Sequence, residues 1–165
     1  MQIAKALGAE VTAVCSTRHI DAVRSIGADY VVDYTRADFT QRGPHYDVAL
    51  DLVGNRSLVD FKRTLNPKGV FVSCSGSSNG NWISPIVWLL KVVLAGAFAS
   101  QKMTPFIMAP RKDDLLFLNQ LIEAGEISPV IERSYPLAEA AEAVRHIAEG
   151  HAQGKTVITI FSEEK

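Results

Sequence analysis

The sequence predicts an α/β fold of the doubly wound type, in which helices cover both faces of a mostly parallel sheet. Two observations support this fold class. Apolar runs of strand length alternate along the chain with amphipathic runs of helix length. The strand-length runs, such as 11–16 and 46–54, are apolar toward both faces, as strands of a sheet covered on both sides are.

The first half of the chain follows a β-α-β-α-β order at short spacing, which is typical of a parallel sheet. The first long helix has Ile20, Val23 and Ile26 on one face and ends at Gly27. The predicted elements are, in order, a short helix that ends at Gly8, a strand over 11–16, a helix over 18–27, a strand over 30–34, a strand and exit turn over 46–54, a helix over 56–65 with Leu58, Phe61 and Leu65 inward, and a turn and strand over 67–76.

The second half is less regular. A polar loop of glycine and serine spans 75–81. The elements predicted after it are an apolar helix over 85–99, a strand over 104–110, an amphipathic helix over 111–126 with Leu115, Leu118, Leu121 and Ile122 at helical spacing, an extended piece within 128–137, a helix over 138–154 and a last strand over 155–161.

The apolar segment 82–99 is nearly long enough to cross a bilayer. Pro85, Lys91 and Gly96 interrupt it, so we predict a buried or interface helix and no membrane span. Contact with a membrane surface is the less favoured alternative.

Length and composition indicate a single domain, over 1–165. The 165 residues are 47% hydrophobic and 21% charged, with a net charge of −1 and a pI of about 6.4. This balance gives no electrostatic argument for nucleic acid or an anionic membrane as a partner, whereas a small-molecule ligand needs only local charge. The opening residues lack the pattern of a signal peptide, so we expect a cytoplasmic protein.

No catalytic or metal-binding motif is visible. Cys15 and Cys74 lie near the ends of apolar runs and are expected to be reduced and half-buried. Two cysteines cannot form a four-thiolate zinc site, and the four histidines, expected at the surface or at helix caps, show no metal-ligand spacing. Asp47 and Asp51 lie at opposite ends of one strand, which suits an acid/base pair poorly. We therefore assign no catalytic residue and no metal ligand.

The residues that follow each strand are the candidate ligand site, because ligands of doubly wound folds bind at the carboxyl ends of the strands. Ser16, Thr17 and Arg18 follow the strand of 11–16. In a dinucleotide fold an acid at this point selects NAD, whereas an arginine with small hydroxyl residues suits the 2′-phosphate of NADP. The alternative is that Thr17 only caps the helix and Arg18 points into water.

The other strand ends give weaker signals. Cys74, Ser75, Gly76 and Ser77 combine hydroxyls with a glycine, which lets a ligand approach the backbone, but they also fit a plain loop. Gly54 is typical of a turn. The motif G-x-G-x-x-G is absent, and the opening helix leads straight into the strand of 11–16, so the first strand and the phosphate loop are missing from this chain.

The runs "QIAKALGAEVTAVCSTR", "SIGADYVVDYT", "YDVALDLVG" and "GVFVSCSG", with the tail from 121 to 160, resemble the medium-chain dehydrogenase/reductase superfamily. The resemblance is to its zinc-independent, quinone oxidoreductase-like branch. It implies the NADPH-binding Rossmann portion of a protein whose GroES-like barrel supplies most of the substrate cleft, with hydride transfer to a quinone or enone-type carbonyl.

The resemblance also implies roles for individual residues. Ser16, Thr17 and Arg18 would bind the 2′-phosphate, and Tyr34 would lie near the adenosine phosphate. The remaining cofactor residues would be Val53 and Gly54 beside the ribose and adenine, Cys74, Ser75, Gly76 and Ser77 near the nicotinamide half, Phe106, Ile107 and Met108 flanking the nicotinamide, and Lys155 reaching the cofactor from the tail.

This sequence departs from the family pattern because it lacks the barrel, the first strand and the pyrophosphate loop. We expect weak or no binding of NADPH and, for this chain alone, incomplete activity. An exposed sheet edge predicts self-association, as a dimer. The alternative function is therefore a non-catalytic, self-associating Rossmann fragment. A methyltransferase-like domain is less favoured, since its cofactor requires an acid where Ser16 stands.

Overall fold

The structure is a computed structural model that describes residues 1–41, 43, 45–74, 84–150 and 154–160. It contains two compact units. Unit 1 comprises Met1–Asp33 with Arg111–Lys165, and unit 2 comprises Tyr34–Pro110. The elements are α1 (Gln2–Ala6), β1 (Thr12–Cys15), α2 (Ile20–Ser25), β2 (Tyr30–Asp33), β3 (Tyr46–Asp51), α3 (Leu58–Thr64), β4 (Leu65–Ser73), α4 (Ser84–Phe98), β5 (Lys102–Pro105), α5 (Lys112–Glu123), β6 (Ile131–Pro136), α6 (Ala140–Ala148) and β7 (Lys155–Thr159), with short 3-10 turns at Thr17–His19 and Leu137–Glu139.

The first sheet of unit 1 is the parallel pair β1–β2, with Cys15 opposite Asp33 at its carboxyl end. Helix α1 is tied to the start of β2, since Lys5 Nζ lies 2.8 Å from both carboxylate oxygens of Asp29. The same carboxylate accepts the backbone N–H of Val11 at 2.7 Å. One aspartate therefore joins the opening helix to the loops that precede both strands.

The remainder of unit 1 is built on the parallel pair β6–β7, with α6 packed against it. Helix α6 buries Ala143 and His146, and His146 Nε2 lies 3.5 Å from Glu132 Oε1 on β6. The expectation that all histidines lie at the surface or at caps is wrong for His146. It occupies the inward face of an amphipathic helix, so its ring is covered.

Unit 2 is a three-stranded parallel sheet, in the order β3–β4–β5. Its core brings together Phe61 of α3, Phe71 of β4, Val92 of α4 and Met103 of β5, with Leu65 at the start of β4. The rings of Phe61 and Phe71 are 4.5 Å apart, and both α3 and α4 reach the same cluster. These two helices therefore cover the same face of the sheet.

Local sequence explains how these helices are fixed. Helix α3 begins with a capping box in which the Ser57 side chain accepts the N–H of Asp60 and the Asp60 carboxylate accepts the N–H of Ser57. Helix α4 approaches β5 so closely that a Cβ at Gly96 would lie 2.9 Å from the carbonyl oxygen of Met103. A side chain at Gly96 would therefore separate the helix from the strand.

The α/β fold with parallel sheets is confirmed. The pair β2–β1 and the triplet β3–β4–β5 correspond to strands 3-2 and 4-5-6 of the usual Rossmann order, and no described strand corresponds to strand 1. The last strand, β7, pairs with β6.

Several element boundaries differ from the prediction. Leu65, predicted as an inward residue of a helix, begins β4 instead, because α3 ends at Thr64. The helix of 18–27 is a 3-10 turn followed by the six-residue α2, and the helix of 138–154 narrows to α6 after a similar turn. The strand of 104–110 begins earlier and ends at Pro105, so the apolar residues 106–108 follow the strand instead of forming it. On α5, Leu121 is buried and Leu118 half-buried, whereas Leu115 and Ile122 are exposed.

Candidate functional site

Each unit presents one carboxyl edge of parallel strands where ligands of this architecture bind. In unit 1 the edge is formed by the ends of β1 and β2. In unit 2 it is formed by the ends of β3, β4 and β5. The predicted site residues divide between these edges, and each edge is described by itself.

At the β1 edge the chain turns sharply into a 3-10 turn. Ser16 is the N-cap of this turn, with extended backbone angles and no side-chain capping hydrogen bond. Thr17 is therefore not the cap, which removes one alternative for this tripeptide. The Arg18 side chain is exposed, and among the described residues it has no ion pair or hydrogen-bond partner. Its guanidinium is thus available to a ligand.

The neighbouring strand brings a carboxylate to the same edge. Asp33 ends β2 opposite Cys15, and its carboxylate accepts a hydrogen bond from the Thr17 hydroxyl. Sequence reasoning looked for an acid only at the end of β1 and did not weigh this one, because the parallel register sets its position. The edge therefore combines a cation, an anion and hydroxyls within a few residues.

Cys15 lies beneath this edge as a half-buried, free thiol, as predicted. Burial raises the pKa of the Cys15 thiol, the Asp33 carboxylate raises it further, and Arg24 partly opposes the rise. A raised pKa leaves less thiolate at neutral pH, which makes Cys15 a weaker nucleophile. Tyr34, the next predicted residue, follows Asp33 directly and is exposed.

In unit 2 a buried carboxylate shapes the turn after β3. Asp51, only 5% exposed, accepts the N–H groups of Val53 at 3.0 Å and Gly54 at 2.9 Å through one oxygen. Gly54 has a φ of +72°, which favours glycine. Sequence reasoning considered Asp51 only as a general acid or base, whereas the structure makes it the residue that holds Val53 and Gly54 in place.

Hydrogen bonds continue the sheet beyond the ends of β4 and β5. The N–H of Cys74 donates to the Asp51 carbonyl at 2.8 Å, and the N–H of Phe106 donates to the Ser73 carbonyl at 2.8 Å. The predicted residues Val53, Gly54, Cys74 and Phe106 therefore lie along one edge, with Ile107 and Met108 exposed just beyond it. The predicted residues Ser75, Gly76 and Ser77 lie outside the described residues.

Cys74 and Ser73 are held in an apolar setting. Burial raises the pKa of the Cys74 thiol, and the Asp51 carboxylate raises it further. The Trp88 indole N–H of α4 donates to Ser73 Oγ at 2.8 Å. This contact anchors the apolar helix α4 to the last residue of β4, and no sequence motif indicates it.

Lys155 begins β7 in a separate sheet. Its backbone N–H donates to the Val130 carbonyl at 2.7 Å, and its side chain is exposed. Within the described part of unit 1, no hydrogen bond or ion pair joins it to the β1 edge. The predicted contact of Lys155 with the cofactor stays a prediction.

The described residues do not fit a zinc ion. They contain no group of three His, Cys, Asp or Glu side chains that could hold a metal. Within the same residues, none of the helices is both long and apolar enough to cross a membrane.

The zinc-binding dehydrogenase family matches residues 26–158 of the chain. The chloroplast envelope quinone oxidoreductase homolog of Arabidopsis thaliana is 27% identical over 162 residues, which cover 96% of this chain and 47% of that protein. The mitochondrial NAD(P)H oxidoreductase RTN4IP1 of Mus musculus is 32% identical over 183 residues, which cover 97% of this chain and 44% of that protein. The chain thus spans about half the length of these relatives.

A solved structure supports the fold. The quinone oxidoreductase from Coxiella burnetii has a TM-score of 0.74 at 23% identity, with 97% of this chain and 48% of that chain covered. The prediction of a cytoplasmic location is wrong, because the relatives are chloroplast and mitochondrial proteins and point to an organelle instead. The resemblance stated from the sequence is confirmed: the chain belongs to the zinc-binding dehydrogenase family of the medium-chain dehydrogenase/reductase superfamily and corresponds to the C-terminal Rossmann portion of its members.

Proposed function

We propose that this chain is the cofactor-binding portion of an NADPH-dependent oxidoreductase, acting on a quinone or enone-type carbonyl compound. The observation that carries the proposal is the end of β1, where Ser16, Thr17 and the exposed Arg18 stand in place of an acid. NADPH, when bound, supplies the hydride. The protein contributes binding and orientation, and no side chain of this chain acts as acid or base.

At the β1 edge, Arg18 supplies a planar set of donors that matches a phosphate. Ser16 and Thr17 add hydroxyls beside it. The negative charge of Asp33 disfavours the binding of an anion nearby. Its carboxylate also accepts a hydrogen bond from the Thr17 hydroxyl and so keeps that hydroxyl at the edge. We infer that this edge takes the 2′-phosphate of the adenosine half, with Tyr34 near the adenosine phosphate.

In unit 2 the edge is apolar and suits the flat rings of the cofactor. The turn of Val53 and Gly54, fixed by Asp51, presents backbone to a ribose. Phe106, Ile107 and Met108 offer apolar surface to the nicotinamide and exclude water from it. We assign the nicotinamide half of the cofactor to this edge, near Cys74, Ser75, Gly76 and Ser77. We also propose that Lys155, in the C-terminal segment, contacts the cofactor.

Two relatives are named as quinone oxidoreductase and NAD(P)H oxidoreductase proteins, which supports the substrate class and the cofactor type. We propose zinc-independent chemistry for this chain, since its described residues do not fit the ion. Metal analysis of the purified chain tests this point. One tightly bound zinc per chain would contradict it.

The cofactor proposal is tested on fragments of NADPH that differ in the 2′-phosphate. By calorimetry, the chain should bind adenosine 2′,5′-bisphosphate about tenfold more tightly than adenosine 5′-monophosphate, given the worth of charge-assisted hydrogen bonds. Arg18→Ala should abolish this preference. Arg24→Ala, which removes an exposed arginine of α2 from the same unit, should retain it. Equal binding of the two nucleotides by the wild type would overturn the 2′-phosphate assignment.

A second candidate function is a non-catalytic, self-associating module with weak or no cofactor binding. Among the described strands, β1 pairs only with β2 and β3 pairs only with β4, so each leaves one edge open. Val48 and Leu50 of β3 are also exposed. Such edges pair readily with another chain. Sedimentation analysis should then give a dimer that binds neither nucleotide, whereas a nucleotide-binding monomer would reject this candidate.

A further inference from the structure

Helix α4 is apolar except for Ser84 and Lys91, yet the described part of unit 2 covers only one of its sides. Val92 is buried in the core of unit 2, and Trp88 and Ala95 pack beside it. Gly96 lies against the backbone of β5. A helix that is apolar all round is normally buried on every side. The uncovered side of α4 therefore requires an explanation that the cofactor function does not provide.

The uncovered side is a continuous apolar stripe. Ile86, Leu90, Val93 and Leu94 are 63%, 58%, 52% and 51% exposed, and Ala97 is exposed as well. These positions follow the spacing i, i+4, i+7, i+8 and i+11, which places them on one face. We call these five residues the α4 stripe. No charged residue lies on it.

The stretch of chain that carries the α4 stripe is rich in cations, one of which, Arg63, pairs with Asp60 at 3.6 Å. Between Asp60 and Asp113 the sequence contains no acidic residue. Lys91 lies on α4 itself, and Lys102 begins β5 four residues after the helix ends. The exposed cations of this stretch within unit 2 are Lys62, Arg63, Lys68, Lys91 and Lys102.

The amino end of the unit 2 sheet gathers most of these cations. Lys102 is opposite Val70 in the parallel register, and Lys68 precedes Val70 by two residues on β4. Lys62 and Arg63 belong to the last turn of α3. Because α4 leads back to the start of β5, its carboxyl end lies at this cationic end of the sheet.

We propose that the α4 stripe and the cations around it bind the surface of an anionic lipid bilayer, with α4 lying in the plane of the interface. Apolar side chains inserted below the headgroups and lysines at headgroup level are the two attractions that hold peripheral helices on membranes. With 15 residues, α4 is too short to cross the bilayer. The proposal is independent of cofactor binding.

A second copy of the chain fits the α4 stripe less well. A stable dimer buries roughly 800 Å² on each partner, more than five side chains of one short helix supply. Area therefore disfavours a second copy, and the exposed cations Lys91 and Lys102 favour an anionic lipid surface.

The test is co-sedimentation of the full chain with vesicles of phosphatidylcholine, with or without phosphatidylglycerol. The chain should bind the anionic vesicles and release them at high sodium chloride concentration. The Leu90→Ser/Val93→Ser variant should bind about tenfold more weakly, because two inserted apolar side chains are lost. The Lys91→Gln/Lys102→Gln variant should also lose about tenfold in affinity for the anionic vesicles, because two positive charges are removed.

Leu115→Ser/Val144→Ser is the matched control, since it changes two side chains of α5 and α6 that are 66% and 62% exposed in unit 1. It should bind as the wild type does, and circular dichroism should show that all variants are folded. Equal binding to neutral vesicles, or no binding, would overturn the proposal. So would a dimer in solution that Leu90→Ser/Val93→Ser dissociates, which would assign the α4 stripe to a second copy.

Discussion

The strand ends of the two units have opposite chemical character. At the β1–β2 edge of unit 1, the exposed Arg18 stands near Asp33 and Thr17, so that edge is polar and charged. At the β3–β4–β5 edge of unit 2, the exposed side chains of Val53, Phe106, Ile107 and Met108 are apolar, and the nearest carboxylate is turned inward. The first edge suits an anionic group, and the second suits an apolar ring.

The largest expected effect contrasts the cores of the two units. Phe71 has no exposed surface and stacks with Phe61 in unit 2, so Phe71→Ala should lower the free energy of unfolding by about 3–5 kcal/mol. Leu121→Ala removes a smaller, partly covered side chain of unit 1 and should cost about 2–3 kcal/mol. Urea denaturation measures both values. A larger loss for Leu121→Ala would reverse the comparison.

The next effect concerns the apolar edge. Asp51→Ala leaves the N–H groups of Val53 and Gly54 without their acceptor, at a cost of about 2 kcal/mol in unfolding free energy. Amide hydrogen exchange of these two residues should accelerate. Asp51→Asn keeps one oxygen and should preserve most of the stability and protection. If Asp51→Asn loses as much stability and protection as Asp51→Ala, the negative charge and not the hydrogen bonding fixes the turn.

A smaller effect is expected at the polar edge. Asp33→Asn removes a negative charge beside the site assigned to the 2′-phosphate, so affinity for adenosine 2′,5′-bisphosphate should rise about threefold. Asp21→Asn, at an exposed carboxylate of α2, is the matched control and should change little. Calorimetry at low salt measures both. Weaker binding by Asp33→Asn would mean that the carboxylate supports the site through Thr17.

The smallest effect is the response to acid. The hydrogen bond from Lys5, followed by that from the Val11 N–H, holds the pKa of Asp29 below its usual value. Its contribution to stability is therefore complete above the pKa of an unfolded aspartate and is lost as the pH falls through the lower folded pKa.

Asp38 of unit 2 behaves in the same way, because the N–H and the hydroxyl of Thr40 lower its pKa. Asp29→Asn and Asp38→Asn should each flatten the loss of stability at acid pH, measured by urea denaturation across that range. An unchanged pH dependence in both variants would show that neither carboxylate contributes to acid unfolding.

Periodicity was enough to predict the fold class and the succession of elements, whereas the cofactor role of Ser16, Thr17 and Arg18 stays a prediction. Contacts between strands were not predictable in this way. Asp33 reaches Thr17 through the parallel register, Asp51 caps a turn through its side chain, and Trp88 joins Ser73 across 15 residues. Such contacts depend on three-dimensional placement and leave no periodic pattern.

Net charge describes the whole chain and hides the difference between its two units. The total of −1 gave no argument for an anionic surface. This total is the sum of two unequal units. Unit 1 has nine Lys or Arg and fourteen Asp or Glu, whereas unit 2 has eight Lys or Arg and four Asp or Glu. The net charge is therefore −5 for unit 1 and +4 for unit 2, a difference that becomes visible only when the two units are known.

The side chain of Gln2 meets the backbone of Ser128 through two hydrogen bonds, of 3.0 Å from its amide nitrogen and 2.7 Å to its amide oxygen. Unit 2 is a continuous stretch, whereas unit 1 is made from two stretches that this contact joins. During synthesis, unit 2 can complete its core while half of unit 1 is still unmade. Helix α1 can contact Asp29 once the first stretch of unit 1 is made, whereas its contact with Ser128 forms only after the second stretch has followed unit 2 along the chain.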